Sequence, residues 1–195
     1  GLTLNAEFGS RKIEWGEEGA EDWESTALLA SAAYEVDALS ATGTFLMQKG
    51  WFKSLNDDDA DQTWRIIDGY RYFGGDDGLE ILAFALDASY DLIDALTLEG
   101  YFDYLLSAKY EEEKLDIDDP YAYKVGAAYT IIEPLEAKAW YKAVGGDLSQ
   151  FGGSVAYTLA EDVTASFEVT STTDTTLVED ADAKLAYTAK IEAAF

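Results

Sequence analysis

The sequence predicts an all-β fold, an antiparallel up-and-down transmembrane β-barrel of about ten strands in one domain spanning residues 1–195. Three observations predict it. Apolar and polar residues alternate with a period of two over stretches longer than the roughly 3–10 residues usual for soluble strands. Short turns recur at one end of these stretches and long acidic connections at the other, which is the layout of a membrane-spanning barrel. The longest unbroken apolar run, Ile81 to Leu86, is too short for a transmembrane helix, so only a closed barrel would cross a bilayer.

The first strand, about 2–13, sets Leu2, Leu4, Ala6 and Phe8 on one face and Thr3, Asn5 and Glu7 on the other. An acidic, Gly-containing loop at 16–22 separates it from a second strand, 24–36, in which Thr26, Leu28, Ala30, Ala32, Tyr34 and Val36 share a face. Four later stretches then read as copies of one hairpin: 33–45, 89–102, 128–141 and 156–169. Each has a Tyr (Tyr34, Tyr90, Tyr129 or Tyr157), a short turn holding Asp or Glu, and an alternating strand starting at Leu39, Leu96, Leu135 or Val163. Pro134 sits in one of these turns, where its missing N–H costs little. Counting between turns gives further strands at 39–53, 79–92, 95–109, 120–132, 135–145, 149–160, 163–173 and 181–195. The opposite connections, 54–78, 109–119 and 173–181, are long and acidic, with Gly145-Gly146-Asp147 the short exception. Within 54–78 the run T-W-R-I-I-D-G-Y-R-Y-F alternates weakly. It is expected as a long loop, because a separate strand there would break the up-and-down order. The ten strands make either a small complete barrel or the C-terminal part of a larger one, the strand-like start at Gly1 keeping the second alternative open.

This assignment sorts the side chains. Outward fall Leu82, Phe84, Leu86 and Tyr90; Leu96, Leu98, Phe102 and Tyr104; Tyr123, Val125, Tyr129 and Ile131; Val155, Tyr157 and Leu159; Val163, Phe167 and Val169. Inward fall Glu99, Asp103, Lys124, Glu136, Lys138, Lys142, Glu168, Lys184, Lys190 and Glu192, which include five of the ten lysines. A soluble antiparallel barrel or sandwich would alternate equally well with its faces reversed, so periodicity alone does not choose. Strand length, the Tyr beside each short turn and the many small residues on the apolar face favour lipid contact.

Composition narrows the chemistry. With 39 acids against 13 bases the formal net charge is -26, which offers phosphate no basic footprint and excludes nucleic acid as a partner. There is no Cys and no His, so disulfides, thiol chemistry and imidazole catalysis are absent, and a non-enzymatic protein without cofactor is expected. Asp57-Asp58-Asp59-Ala60-Asp61-Gln62 spaces its acids like the start of a calcium loop, but has no Gly at the sixth position and Asp68 at the twelfth. A solvated acidic loop with weak divalent-cation association is the expectation there and at Glu111-Glu112-Glu113 and Asp116 to Asp119. Gly74-Gly75-Asp76-Asp77-Gly78 is a turn signal, since its carboxylates would repel phosphate.

The last fifteen residues, A-D-A-K-L-A-Y-T-A-K-I-E-A-A-F, have an apolar residue at every odd position from Ala181 to Phe195. This stretch, ending on an aromatic with Tyr187 eight positions before it, resembles the C-terminal assembly signal of bacterial outer-membrane β-barrels. The resemblance implies an outer-membrane location, a lipid bilayer and the barrel-assembly machinery as partners, and leaves a homo-oligomer open. Lys124, Lys138 and Lys142, on two adjacent strands, form a basic stripe that the acids Asp57, Asp58, Asp59 and Asp61 of the long connection would face. That pairing resembles the constriction of general porins, in which an inward acidic loop opposes a basic wall and polar solutes align in the field. The departure is the use of lysine: the chain's only arginines are Arg11, Arg65 and Arg71. The competing reading is that lysine–carboxylate pairs merely neutralise a filled lumen, as ten strands leave far less room than the roughly 16–18 of open porins. The expected function is a porin-like channel for ions or small polar solutes, biased to cations; the alternative is a structural or adhesive surface barrel without an open pore.

Overall fold

The computed structural model describes residues 1–13, 23–49, 79–110, 113–160, 163–175 and 183–193. The strands are β1 (Leu2–Ile13), β2 (Trp23–Val36), β3 (Leu39–Lys49), β4 (Leu79–Ile93), β5 (Leu96–Tyr110), the two-residue β6 (Glu113–Lys114), β7 (Tyr121–Ile132), β8 (Leu135–Val144), β9 (Leu148–Ala160), β10 (Val163–Asp174) and β11 (Lys184–Ala193). The ten long ones pair antiparallel, each with its predecessor and successor in the chain, while β6 only extends the edge of β5. This is the up-and-down order that the repeated turns predict. Strand β3 pairs directly with β4, and the connection 54–78, expected as a long loop, lies outside the described residues. Among the described residues β1 and β11 stand at the two ends of the sheet and are not paired with each other.

The short turns are where the sequence places them. Asp37-Ala38 joins β2 to β3 with Asp37 at φ 46°, a left-handed conformation its short polar side chain tolerates. Asp94-Ala95 joins β4 to β5, and Glu133-Pro134, with a cis peptide bond, joins β7 to β8. At the other end the three-residue turn from β8 to β9 uses Gly145 at φ 57°.

Because neighbouring strands are in register, alternation within each strand becomes continuous rows across the sheet. One face carries Leu82, Phe84, Leu86, Leu98, Phe102, Val125, Val155 and Phe167; the other carries Ala83, Ala85, Asp103, Ala122, Lys124 and Lys142. The second face is the inner one. Along β4, buried Ile81, Ala83 and Ala85 alternate with Phe84 and Leu86, which are exposed. On β5, Asp103 has no exposed surface, whereas Phe102 and Tyr104 beside it point outward into the open. The rows of Leu82, Leu86, Leu98, Tyr90 and Tyr129 lie outside and Lys124, Lys138 and Lys142 inside, which is the arrangement of a barrel in lipid and the reverse of a soluble core.

Candidate functional site

The outer wall defines the environment. Lys49 and Glu80, bridged at 2.7 Å, and Lys109 beside Glu80 form a charged row across β3, β4 and β5 at the long-connection end. Between that row and the short turns, the outward positions of the described strands hold no Asp, Glu, Lys or Arg. On β4 this uncharged stretch runs from Leu82 to Tyr90. Eight residues span about 27 Å along a strand, or about 20 Å of height at 40° tilt, close to the apolar band of about 25 Å in membrane barrels. Tyr34, Tyr90, Tyr129 and Tyr157 are all exposed at its short-turn edge. Toward the opposite edge further aromatic contacts form, which the sequence reading did not single out: Tyr104, stacked on the mid-strand Phe102 with ring centroids 6.3 Å apart, and Tyr123, 5.9 Å from Tyr141. Such continuous exposed apolar surface has no place in water, and aromatic residues toward both edges fit two membrane interfaces.

The inner wall is the candidate site. The register puts all ten inward-assigned residues on this face, on β5, β7, β8, β10 and β11. Lys124 and Lys142 are Cα partners on β7 and β8, nearer the long-connection end, as the sequence implied. Lys138 lies four residues from Lys142 toward the short turns, opposite Ser154. The lysines do not stand as a bare stripe. Lys124 reaches Glu99 at 2.5 Å, Lys138 reaches Glu136 at 3.0 Å on its own strand, and Lys190 reaches Glu192 at 2.6 Å. Beside the Glu99–Lys124 pair is a polar recess of about 260 Å³ lined by Ser40, Thr42, Asp87, Ser89 and Tyr101. Trp140 lies across Gly152 on this face, where a Cβ would meet its indole ring. The acids Asp57, Asp58, Asp59 and Asp61 lie outside the described residues, as does Phe195.

The inner wall is not uniformly polar. Leu46, Ile81, Ala83, Ala85, Leu105 and Ala108 form a buried apolar cluster with Leu29 against it. It occupies the long-connection half of β2 to β5. The apolar run Ile81 to Leu86 carried the signal, because six consecutive apolar residues make both faces of a strand apolar. Ala108 was not legible by period: the register shifts at Leu82/Ala83, Leu105 pairs with Ala83 and Ala108 with Ile81, so the extra residue turns Ala108 inward.

An uncharged outer wall with aromatic edges, backed by an inner wall that carries the charges, defines the class: an up-and-down transmembrane β-barrel. No family model and no curated protein matches the sequence. Among solved structures, the chain is similar to a KdgM porin in complex with disordered oligogalacturonate, at 11% identity and a TM-score of 0.45, covering 100% of this chain and 91% of that one. A likeness at that level carries nothing over to particular residues or to a solute.

Proposed function

We propose that the protein is a bacterial outer-membrane channel of porin type, through which ions and small polar solutes diffuse passively. The observation that carries this reading is the change of polarity across one wall. Outward positions of the described strands are uncharged over about 20 Å of height, while the positions between them hold Glu99, Asp103, Lys124, Glu136, Lys138, Lys142 and Glu168. A charge facing hydrocarbon costs about 2–4 kcal/mol at mid-depth and little facing water, so this segregation is what a wet interior selects. The cation bias rests on charge: the chain carries -26, and carboxylate positions outnumber basic ones on the inner face. Lys124, Lys138 and Lys142 are the basic side of the proposed constriction, and Asp57, Asp58, Asp59 and Asp61 supply its acidic side. The C-terminal strand is read as the segment recognised by the barrel-assembly machinery.

One observation favours a second reading. The dry cluster of Leu46, Ile81 and Leu105 on the inner wall suits a lumen filled at one end, hence a structural or adhesive barrel without an open pore. Reconstitution into planar bilayers separates the two. A channel gives discrete conductance steps and, under a KCl gradient, a reversal potential of cation-selective sign; a flat baseline at protein densities that insert removes the channel reading.

A further inference from the structure

The charged row on the outer wall has a composition that hydrocarbon contact does not explain. Passing from Cα partner to Cα partner at the long-connection end, it reads Ser10, Thr26, Lys49, Glu80, Lys109 and Lys114. Five of the ten lysines are on the inward face, and three of the other five stand in this row, in a chain whose net charge is -26. They are also confined to one side. Toward the same end of β7 to β10 the outward residues are Tyr121, Ala143, Ser149 and Thr173, none of them charged. An unspecific interfacial belt of lysines would run on around the wall, whereas this is a patch on β3 to β6.

Glu80 neutralises one of the three, Lys49, at 2.7 Å. Lys109 and Lys114 are Cα partners on the same face. Like charges set directly opposite each other destabilise a strand pair, and an anion placed between them relieves the repulsion. Beneath the lysines the outer wall has a groove of about 330 Å³. Phe8, Leu28, Met47 and Leu82 line its lower part, and Lys49, Glu80 and Lys109 stand at its upper rim. Glu80 follows Leu82 on the same face, about 5 Å further from the membrane centre at 40° tilt, which is where headgroups begin.

We propose that this groove is a lipid site, which seats an acyl chain of an anionic lipid while Lys49, Lys109 and Lys114 hold its headgroup phosphate. A free phosphate ion would gain nothing from the apolar floor, and a lipid without net charge would gain little from the lysines. Lysine suits the position because its stem lies along apolar surface while the ammonium reaches the headgroup. The long connections of such barrels are extracellular, so the lipid is one of the outer leaflet. The site rests on the outer-membrane barrel reading for its surroundings and is independent of conduction. Strands β1 to β5, which build the groove, are paired with one another, so the site does not depend on what lies beyond the ends of the sheet.

Native mass spectrometry tests this on the protein released from micelles doped equally with chain-matched phosphatidylglycerol and phosphatidylcholine. Each net positive charge near a membrane surface favours an anionic lipid by about fivefold, and three lysines less one carboxylate leave two such charges. A preference of about tenfold or more for phosphatidylglycerol is expected in the species retaining one lipid. Lys49→Gln with Lys109→Gln should bring the two lipids near parity. Lys184→Gln with Lys190→Gln removes the same charge from the inner wall and should leave the preference intact. Ser107 also lines the groove, and Ser107→Phe, which fills it with the lysines in place, should abolish the retained phosphatidylglycerol. Parity in the unmodified protein overturns the proposal, whether or not any variant folds. So does equal loss in both double variants, unchanged retention in Ser107→Phe, or displacement of the lipid by millimolar inorganic phosphate. Loss of the preference in EDTA overturns it too, by placing a divalent cation on Glu80 rather than the lysines on the phosphate. A protein that conducts but shows no preference loses this site alone, and a flat bilayer baseline with the preference intact supports the site while removing the channel.

Discussion

Replacing Val155 by Lys, and separately Ser154 by Lys, puts the same charge at the same height on opposite sides of one wall. Val155 lies mid-way along β9, exposed on the outer face between Ala137 of β8 and Phe167 of β10. Ser154 is its chain neighbour on the inner face, between Lys138 and Glu168. A lysine facing lipid at mid-depth costs about 2–4 kcal/mol, while one facing the lumen costs about 0–1, with Glu168 offsetting the repulsion from Lys138. At about 1.4 kcal/mol per tenfold, Val155→Lys lowers the folding constant by roughly 25- to 700-fold. With a guanidinium slope of about 4 kcal/mol/M, the midpoint falls by about 0.5–1 M, and Ser154→Lys moves it by less than about 0.3 M. Reversible unfolding from lipid vesicles, followed by tryptophan fluorescence, measures both. Equal shifts, or a larger one for Ser154→Lys, would refute the assignment of faces.

Lys138→Glu with Lys142→Glu should move the KCl reversal potential toward stronger cation preference; an unchanged potential would mean that both side chains are neutralisers of a filled interior. Glu99→Gln removes the partner of a half-exposed ion pair, so stability should change by only about 0–1 kcal/mol while the potential shifts toward anions, read in the same bilayer assay. Leu46→Ala opens a cavity in the inner apolar cluster and should cost about 2–5 kcal/mol by denaturant unfolding, far more than truncating a lipid-facing leucine such as Leu98. Gly152→Val collides with the Trp140 ring and should cost about 1–3 kcal/mol with a change in tryptophan emission, whereas Gly43→Val, whose added Cβ meets only a Phe84 ring carbon at 3.7 Å, should be tolerated.

Much of the fold was legible in the sequence because a barrel in lipid leaves a dyad signal on every strand. The repeated Tyr–turn unit located Asp37-Ala38, Asp94-Ala95 and Glu133-Pro134, and the predicted strand bounds differ little from those of β1, β2 and β7 to β10. Where a strand is apolar on both faces, the period locates residues but not their role. Alternation places Ile81, Ala83 and Leu105 on the inward face, but nothing in the period tells that they form an apolar core there rather than a polar lining. Bulges defeat the pattern for another reason: one extra residue at Leu82/Ala83 reverses the parity of everything beyond it on β5. The basic stripe was legible as positions but not as chemistry. Lys124 and Lys138 find Glu99 and Glu136 through a cross-strand diagonal and a same-face spacing of two, and only coordinates reveal whether such neighbours meet.

The account stands on which side of the wall touches hydrocarbon, and a nitroxide scan along β10 in lipid vesicles reads that directly. With a spin label placed in turn at positions 164 to 170, collision with dissolved oxygen should peak at Ala165, Phe167 and Val169. Collision with a water-soluble nickel chelate should peak at Thr164, Ser166, Glu168 and Thr170. The opposite phase, or the absence of any alternation, would contradict it.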